Sequence, residues 1–203
     1  MAEMLIVLSA LVGAAGLYPY IKSTINGSVR PQLVTWSIWT VLAGVLTVSA
    51  VQQHQIASAA LSAQAFVSCG LIVILGWRRG QVSLTQLDIV CLAGAVLGIG
   101  SLVVLNNPTV ALLVAVAVDA IAFIPTFRHA WASPDEESLA CFALSTVAAT
   151  LTLTVAIMYH YQIDGLVYPL YAVLFNGATV VILYISRQAP ELAYSQSNGE
   201  TTM

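Results

Sequence analysis

The sequence predicts an all-α membrane protein: seven transmembrane helices arranged as two parallel three-helix bundles joined by a linker helix. Three observations predict it. Hydrophobic residues make up 59% of the 203-residue chain and charged residues only 7%, with a mean hydropathy of +0.90. Soluble domains carry about 25% charged residues, so the chain lacks the polar groups to cover a globular surface. The apolar residues fall into seven runs, each near the about 20 residues that cross a hydrocarbon core. The chain also repeats itself. Gly16-Leu17-Tyr18-Pro19-Tyr20-Ile21-Lys22 closes one apolar run and Ala122-Phe123-Ile124-Pro125-Thr126-Phe127-Arg128 closes another, with Pro19 and Pro125 106 residues apart. The same offset pairs Leu33 with Leu139, Trp36 with Phe142, and Thr40-Val41 with Thr146-Val147. A period this long in so apolar a chain marks an internal duplication rather than a solenoid.

The spans are expected at about 4–21, 33–52, 56–76, 84–105, 109–128, 138–158 and 165–186, joined by short polar connections. Residues 1–80 hold the first three-helix repeat, 81–107 the linker helix, 108–187 the second repeat, and 188–203 a polar, Ser/Thr-rich tail expected to be disordered and cytoplasmic. The offset maps span one onto five and two onto six, and span three matches seven at a slightly larger offset. Span four has no partner. Three helices reverse the chain's direction and a fourth restores it, so parallel repeats demand a linker. That linker carries Gly94 and Gly98 in a GxxxG spacing suited to close helix packing.

Orientation follows from the basic residues. Lys22 and Arg30 lie after span one, Arg78 and Arg79 after span three, Arg128 at the end of span five and Arg187 after span seven, all on one side. The opposite connections contain no Lys or Arg. The positive-inside rule then places the N-terminus outside and the C-terminus in the cytoplasm, as in a multi-pass protein of the cell (inner) membrane. Met1-Ala2-Glu3 has no basic n-region, so the first run is expected to be a retained helix rather than a signal peptide.

Several functions are disfavoured at this level. A net charge of −3 with six basic residues does not suit nucleic-acid binding. Cys69, Cys91 and Cys141 lie in apolar runs without CxxC spacing, and His54, His129 and His160 are scattered, so neither a metal nor a cofactor is expected. No HExxH, no GxSG and no paired mid-depth carboxylates are present, so the chain is not expected to be an enzyme. The sole lysine, Lys22, is too shallow for a retinal Schiff base.

The 3+1+3 arrangement, with proline near the cytoplasmic end of each first helix, resembles the PQ-loop superfamily, which contains SWEET sugar transporters, cystinosin-type amino-acid exporters and cargo receptors. Bacterial nicotinamide riboside transporters look similar in architecture. The loop pattern reads Pro19-Tyr20-Ile21-Lys22 through Ser28, and Pro125-Thr126-Phe127-Arg128 through Ser138-Leu139, with Tyr20 and Thr126 where that family has glutamine. The resemblance implies a carrier for a small polar metabolite, of sugar or amino-acid size, working by alternating access. The alternative it implies is a non-transporting receptor or assembly factor on the same fold. The partners expected are a polar solute and the lipid bilayer; protons and a second copy of the chain stay open.

Among candidate site residues Asp119 stands first. It lies about ten residues into span five, hence about 15 Å deep, where an Asp costs about 2.5–3.5 kcal/mol on insertion scales. Such a residue suits proton coupling or a hydrogen bond to substrate, or else a structural bond between helices. Its counterpart in the first repeat is Gly13. Asn176 lies at a similar depth in span seven. The resemblance implies a substrate-holding Asn there, and matching Val73-Ile74-Leu75 to Val181-Ile182-Leu183 makes Ser68 its first-repeat equivalent. Gln64 and Trp39 are further candidates for the cavity. Trp36, Trp77 and Trp131 are expected in the interfacial belt, and Tyr168 and Tyr171, flanking Pro169, either as belt or as a gate. Pro19 and Pro125 each free a backbone carbonyl about one turn from a helix end and are expected to act as hinges. Asp88 reads as an acid at a helix start, and Asp135-Glu136-Glu137 as an acidic first turn before span six.

Overall fold

Each apolar run becomes one helix. The computed structural model describes residues 2–26, 31–78, 80, 82 and 84–199. Their helices are α1 (Ala2–Asn26), α2 (Leu33–Gln52), α3 (Ile56–Gly76), α4 (Gln86–Val103), α5 (Pro108–Ala132), α6 (Leu139–Met158) and α7 (Ile163–Gly199), with a 3-10 turn at Pro134–Glu136. Among the described residues there is no strand, and seven helices are long and apolar enough to cross a membrane. Large apolar side chains such as Val96, Leu97 and Ile74 point outwards. A water-facing surface would not carry so many, whereas a bilayer solvates them. The chain is accordingly an all-helical, membrane-embedded protein.

The polar connections place the helix ends. Thr85 and Asp88 form a reciprocal capping box that starts α4, with the Asp88 carboxylate accepting from Thr85 N at 2.8 Å, so Asp88 is an end-capping residue as expected. Asn107 accepts from Val110 N at 3.1 Å and precedes Pro108 at the first turn of α5. Asp135-Glu136-Glu137 lies just before α6. Pro134–Glu136 closes a separate 3-10 turn, and Ser138 caps α6 by accepting from Cys141 N at 3.2 Å. Ser28, Arg30 and Arg79 lie outside the described residues.

α1 and α5 run past their expected ends, and both prolines sit inside the helix, about two turns before it stops rather than one. The polar residues following each apolar run continue the helix beyond the hydrocarbon core. α7 likewise continues to Gly199, although the composition predicts a disordered tail from residue 188. Only its Ile163–Gln188 portion is apolar enough to span.

The duplication is more detailed than the sequence comparison reveals. α2 ends with His54 at φ 57° and α6 with His160 at φ 52°, 106 residues on. Around His54 the amide of Gln55 donates to Ala50 O at 2.8 Å and that of His54 to Val51 O at 3.0 Å. Around His160, Tyr161 N donates to Ala156 O at 3.0 Å and His160 N to Ile157 O at 3.0 Å. Both are Schellman endings with a left-handed residue just past the helix, closed with histidine in place of the usual glycine.

α3 packs against both α1 and α2, and α7 against both α5 and α6. α1 also packs on α6 and α2 on α5, α3 touches α6 and α7, and α4 lies against α5 and α2. The two seams differ chemically. On the α1–α6 seam Ser9 Oγ donates to Ala148 O at 2.8 Å and lies 2.8 Å from Thr152 Oγ1, and Gly16 brings α1 against Leu144 and the Cys141 carbonyl. The matching positions on α5 and α2 are Ala115, Leu42 and Leu46, all buried and apolar. α4 is seated by its two glycines. A methyl on Gly94 would run into Val118, and one on Gly98 would touch Val45 at 3.4 Å.

The two ends of the bundle are chemically distinct. One, the basic end, carries Lys22, Arg78, Arg128 and Arg187; the other, the histidine end, carries His54 and His160.

Candidate functional site

Asp119 lies on the α5 stripe that faces α2 and α7. Ala115, one turn before it, is 0% exposed and Phe123, one turn after, 8%. Asp119 itself keeps partial accessibility between these buried neighbours. Trp39 Nε1 from α2 and Tyr171 Oη from α7 are turned towards its carboxylate, and neither has a well-aligned hydrogen-bond partner. Tyr168, Cys69 and Cys91 are also near enough to feel its charge. Among the described residues no basic side chain pairs with it; the His129–Glu137 ion pair is at the basic end.

Rings close the site on the side of the basic end. Phe123 is the hub: its centroid lies 6.2 Å from Trp39, 6.3 Å from Tyr171 and 5.5 Å from Phe175. Tyr171 and Phe175 are 4.5 Å apart, and Phe127 stacks on Phe175 at 5.6 Å. Trp36 extends the chain of rings, edge-on to Trp39 at 5.1 Å, and donates Nε1–H to Tyr20 Oη at 3.2 Å. Offset and edge-to-face contacts at these distances are the favourable geometries for ring pairs. Tyr168 and Tyr171 are therefore interior residues rather than belt residues, each 8% exposed, while Trp36 stays partly exposed. Trp77 and Trp131 are exposed, as a belt requires.

Gln64, Ser68 and Gly13 form a second polar group. Gln64 Nε2 donates to Ser68 Oγ at 2.8 Å, and its Oε1 fills the space over Gly13 that a methyl would need. The duplicated positions thus exchange roles: the first repeat has a glycine on its first helix and the amide of Gln64 on its third, while the second has Asp119 on its first helix. Asn176 spends Nδ2 on its own helix, donating to Ala172 O at 2.8 Å. Its stripe neighbours Ala172, Thr179 and Leu183 are buried while Asn176 stays partly accessible. The same holds for Gln64 between Leu61 and Ser68, and for Trp39 beside Leu42 and Ala43. Among the described residues no hydrogen bond joins Asn176 to Asp119 or Ser68, so the packing brings together Asp119 with Trp39, and Gln64 with Ser68, and leaves Asn176 on its own helix.

Phe123, Phe127 and Phe175 join the site although sequence reasoning does not single them out, beside Tyr171, which the sequence offered as belt or gate. A signal is present: Phe123 and Phe127 follow Asp119 at four-residue steps, and Tyr171 and Phe175 keep the same step.

At the histidine end the two repeats are tied together. Thr109 Oγ1 of α5 lies 3.2 Å from Asp164 Oδ2 of α7 and 3.3 Å from Gln53 Oε1 in the α2–α3 connection. Tyr161 Oη accepts from Ala57 N at 3.4 Å. Pro19 and Pro125 are exposed at the helix surface, each without an N–H for the carbonyl one turn back.

Fold and site together define a class: a multi-pass membrane protein with a partly accessible carboxylate beside a cluster of aromatic rings. Comparison with protein-family models, with curated proteins and with solved structures finds no match to this chain.

Proposed function

We propose that the protein is a carrier for a small polar solute, built as two three-helix bundles, α1–α3 and α5–α7, that rock about a site between them. The observation that carries the reading is the shared partial accessibility of Trp39, Gln64, Asp119 and Asn176 on otherwise buried stripes. Polar groups so placed cost insertion energy and serve a pathway or a bound solute. The parallel packing relations of the two repeats support the PQ-loop-like arrangement, with α4 as linker and the basic end cytoplasmic. Pro19 and Pro125 serve as hinges at matching positions, and Asp119 couples transport to a proton. Gln64, Ser68 and Asn176 supply hydroxyl and amide partners for the solute.

The carrier reading is tested with purified protein in liposomes containing a pH-sensitive dye, offered glucose, glutamine, uridine and choline in turn. Uptake of at least one above protein-free vesicles, with a dye response, is expected. Uptake at the background rate for all four, from monodisperse protein, would overturn it in favour of a receptor or assembly factor.

The tie at the histidine end acts in this scheme as the outer gate. Thr109→Val removes the hydroxyl that Asp164 and Gln53 share. In a Cys91→Ala/Cys141→Ala background the buried Cys69 thiol, near Asp119, should then react several-fold faster with a membrane-impermeant maleimide. An unchanged rate would mean that Thr109 does not gate the interior.

A further inference from the structure

We infer that the site at Asp119 takes small organic cations with a flat, charge-delocalised group, and that such a cation and a proton occupy the carboxylate in turn. The inference deepens the carrier reading and rests on its choice of Asp119 as the substrate site.

Charge is the first argument. An anion in the hydrocarbon core without a counter-charge is costly. The side chains turned towards Asp119 are Trp39 from α2 and Tyr171 from α7, and the other groups near enough to feel its charge are Cys69 from α3, Cys91 from α4 and Tyr168 from α7. None of them is basic. Trp39 and Tyr171 can donate hydrogen bonds and fix the carboxylate's direction, but neither brings a positive charge. The described basic side chains lie at the basic end, where Arg187 is held by the Pro134 and Glu137 carbonyls at 2.8 Å. The compensating charge must therefore enter from outside the protein, as a proton or as a cationic solute.

Shape is the second. Phe123, Tyr171 and Phe175 meet Trp39 in a cluster with centroid spacings of 4.5 to 6.3 Å. A sugar is held by many hydroxyl partners, whereas this wall offers two donors, Trp39 Nε1 and Tyr171 Oη, in a cluster of rings packed on one another. Ring faces attract cations within about 6 Å and stack on flat groups. A planar cation therefore uses both the carboxylate and the wall.

Occupancy of one carboxylate by either species sets the exchange. The O–H bond of the protonated carboxyl breaks, the proton leaves to water, and the cation takes its place by ion pairing, one proton out for one charge in.

The test compares benzamidinium, a planar cation, with benzamide, its uncharged near-isostere, on purified full-length protein in weakly buffered detergent solution. Benzamidinium should bind at least about tenfold tighter, release protons on binding, and lose affinity towards about tenfold per unit as pH falls. Asp119→Asn should erase the preference and Asp119→Glu keep it. Should Asp119→Asn fail to fold, the gap between the two compounds and the proton release in the native protein decide alone. Equal binding of the two, binding of neither, or benzamidinium binding that is pH-independent and releases no proton would overturn the inference. Uptake of a neutral solute without benzamidinium preference would remove this inference and leave the carrier. Benzamidinium selectivity without any solute uptake would do the reverse.

Discussion

Asp119→Asn in proteoliposomes should reduce solute-linked proton movement at least about tenfold, to the level of empty vesicles, while the protein stays folded. The amide has nearly the same shape and keeps an oxygen to accept from Trp39 and Tyr171. It can neither carry charge nor exchange a proton. Because the carboxylate has no basic partner among the described residues, the substitution leaves no orphaned cation, unlike the loss of one member of a buried ion pair. The thermal midpoint should therefore hold or rise. The decisive measurement is flux against pH for the two proteins side by side: if the variant retains the native pH profile, Asp119 is a structural residue and coupling lies elsewhere.

Gly94→Ala should destabilise the protein by about 1–3 kcal/mol, the cost of overpacking a close-fitted contact, and lower the thermal midpoint by several degrees. The added methyl would fall on Val118. A valine branches at Cβ and has little rotamer freedom in a helix, so it cannot swing aside, and α4 would have to back away from α5. Gly100→Ala in the same helix provides the contrast. Nothing lies within 4 Å of the methyl there, so it should stabilise by about 0.5–1 kcal/mol through the reduced entropy cost of alanine in a helix. Opposite signs from identical chemistry six residues apart would tie the effect to the packing of α4; equal signs would mean that the linker helix is not seated by its glycine spacing.

Much of this architecture is legible in the residues because a bilayer reads composition. Each span needs about 20 apolar residues, and the polar stretches between runs mark the turns, so hydropathy places α2, α3 and α6 almost to their ends. α1, α5 and α7 run longer because helix formation does not stop where apolarity does: the backbone continues wherever the next residues tolerate it. The acidic stretch at Asp135–Glu137 stays outside α6 for a related reason. Pro134 cannot sit in the interior of a continuous helix, and the turn it closes hands the capping role to Ser138.

The candidate site divides along the same physical line. Asp119, Gln64 and Asn176 can be found in the sequence because a polar group at mid-depth carries a penalty that only an interior position relieves. Phe123, Phe127 and Phe175 cannot, because a ring is equally at home against lipid and against protein, and nothing in its identity says which. Only the packing of α5 against α2 and α7 turns those rings inward and brings Trp39 and Tyr171 to one carboxylate. The packing of the helices also turns Gln64 onto Ser68 and leaves Asn176 bonded to its own helix. The sequence by itself thus determined how many times the chain crosses, which residues repeat, and which polar groups must be hidden. The tertiary structure decided which of them share a site, because hydropathy constrains depth in the bilayer and leaves the rotation of each helix to its neighbours.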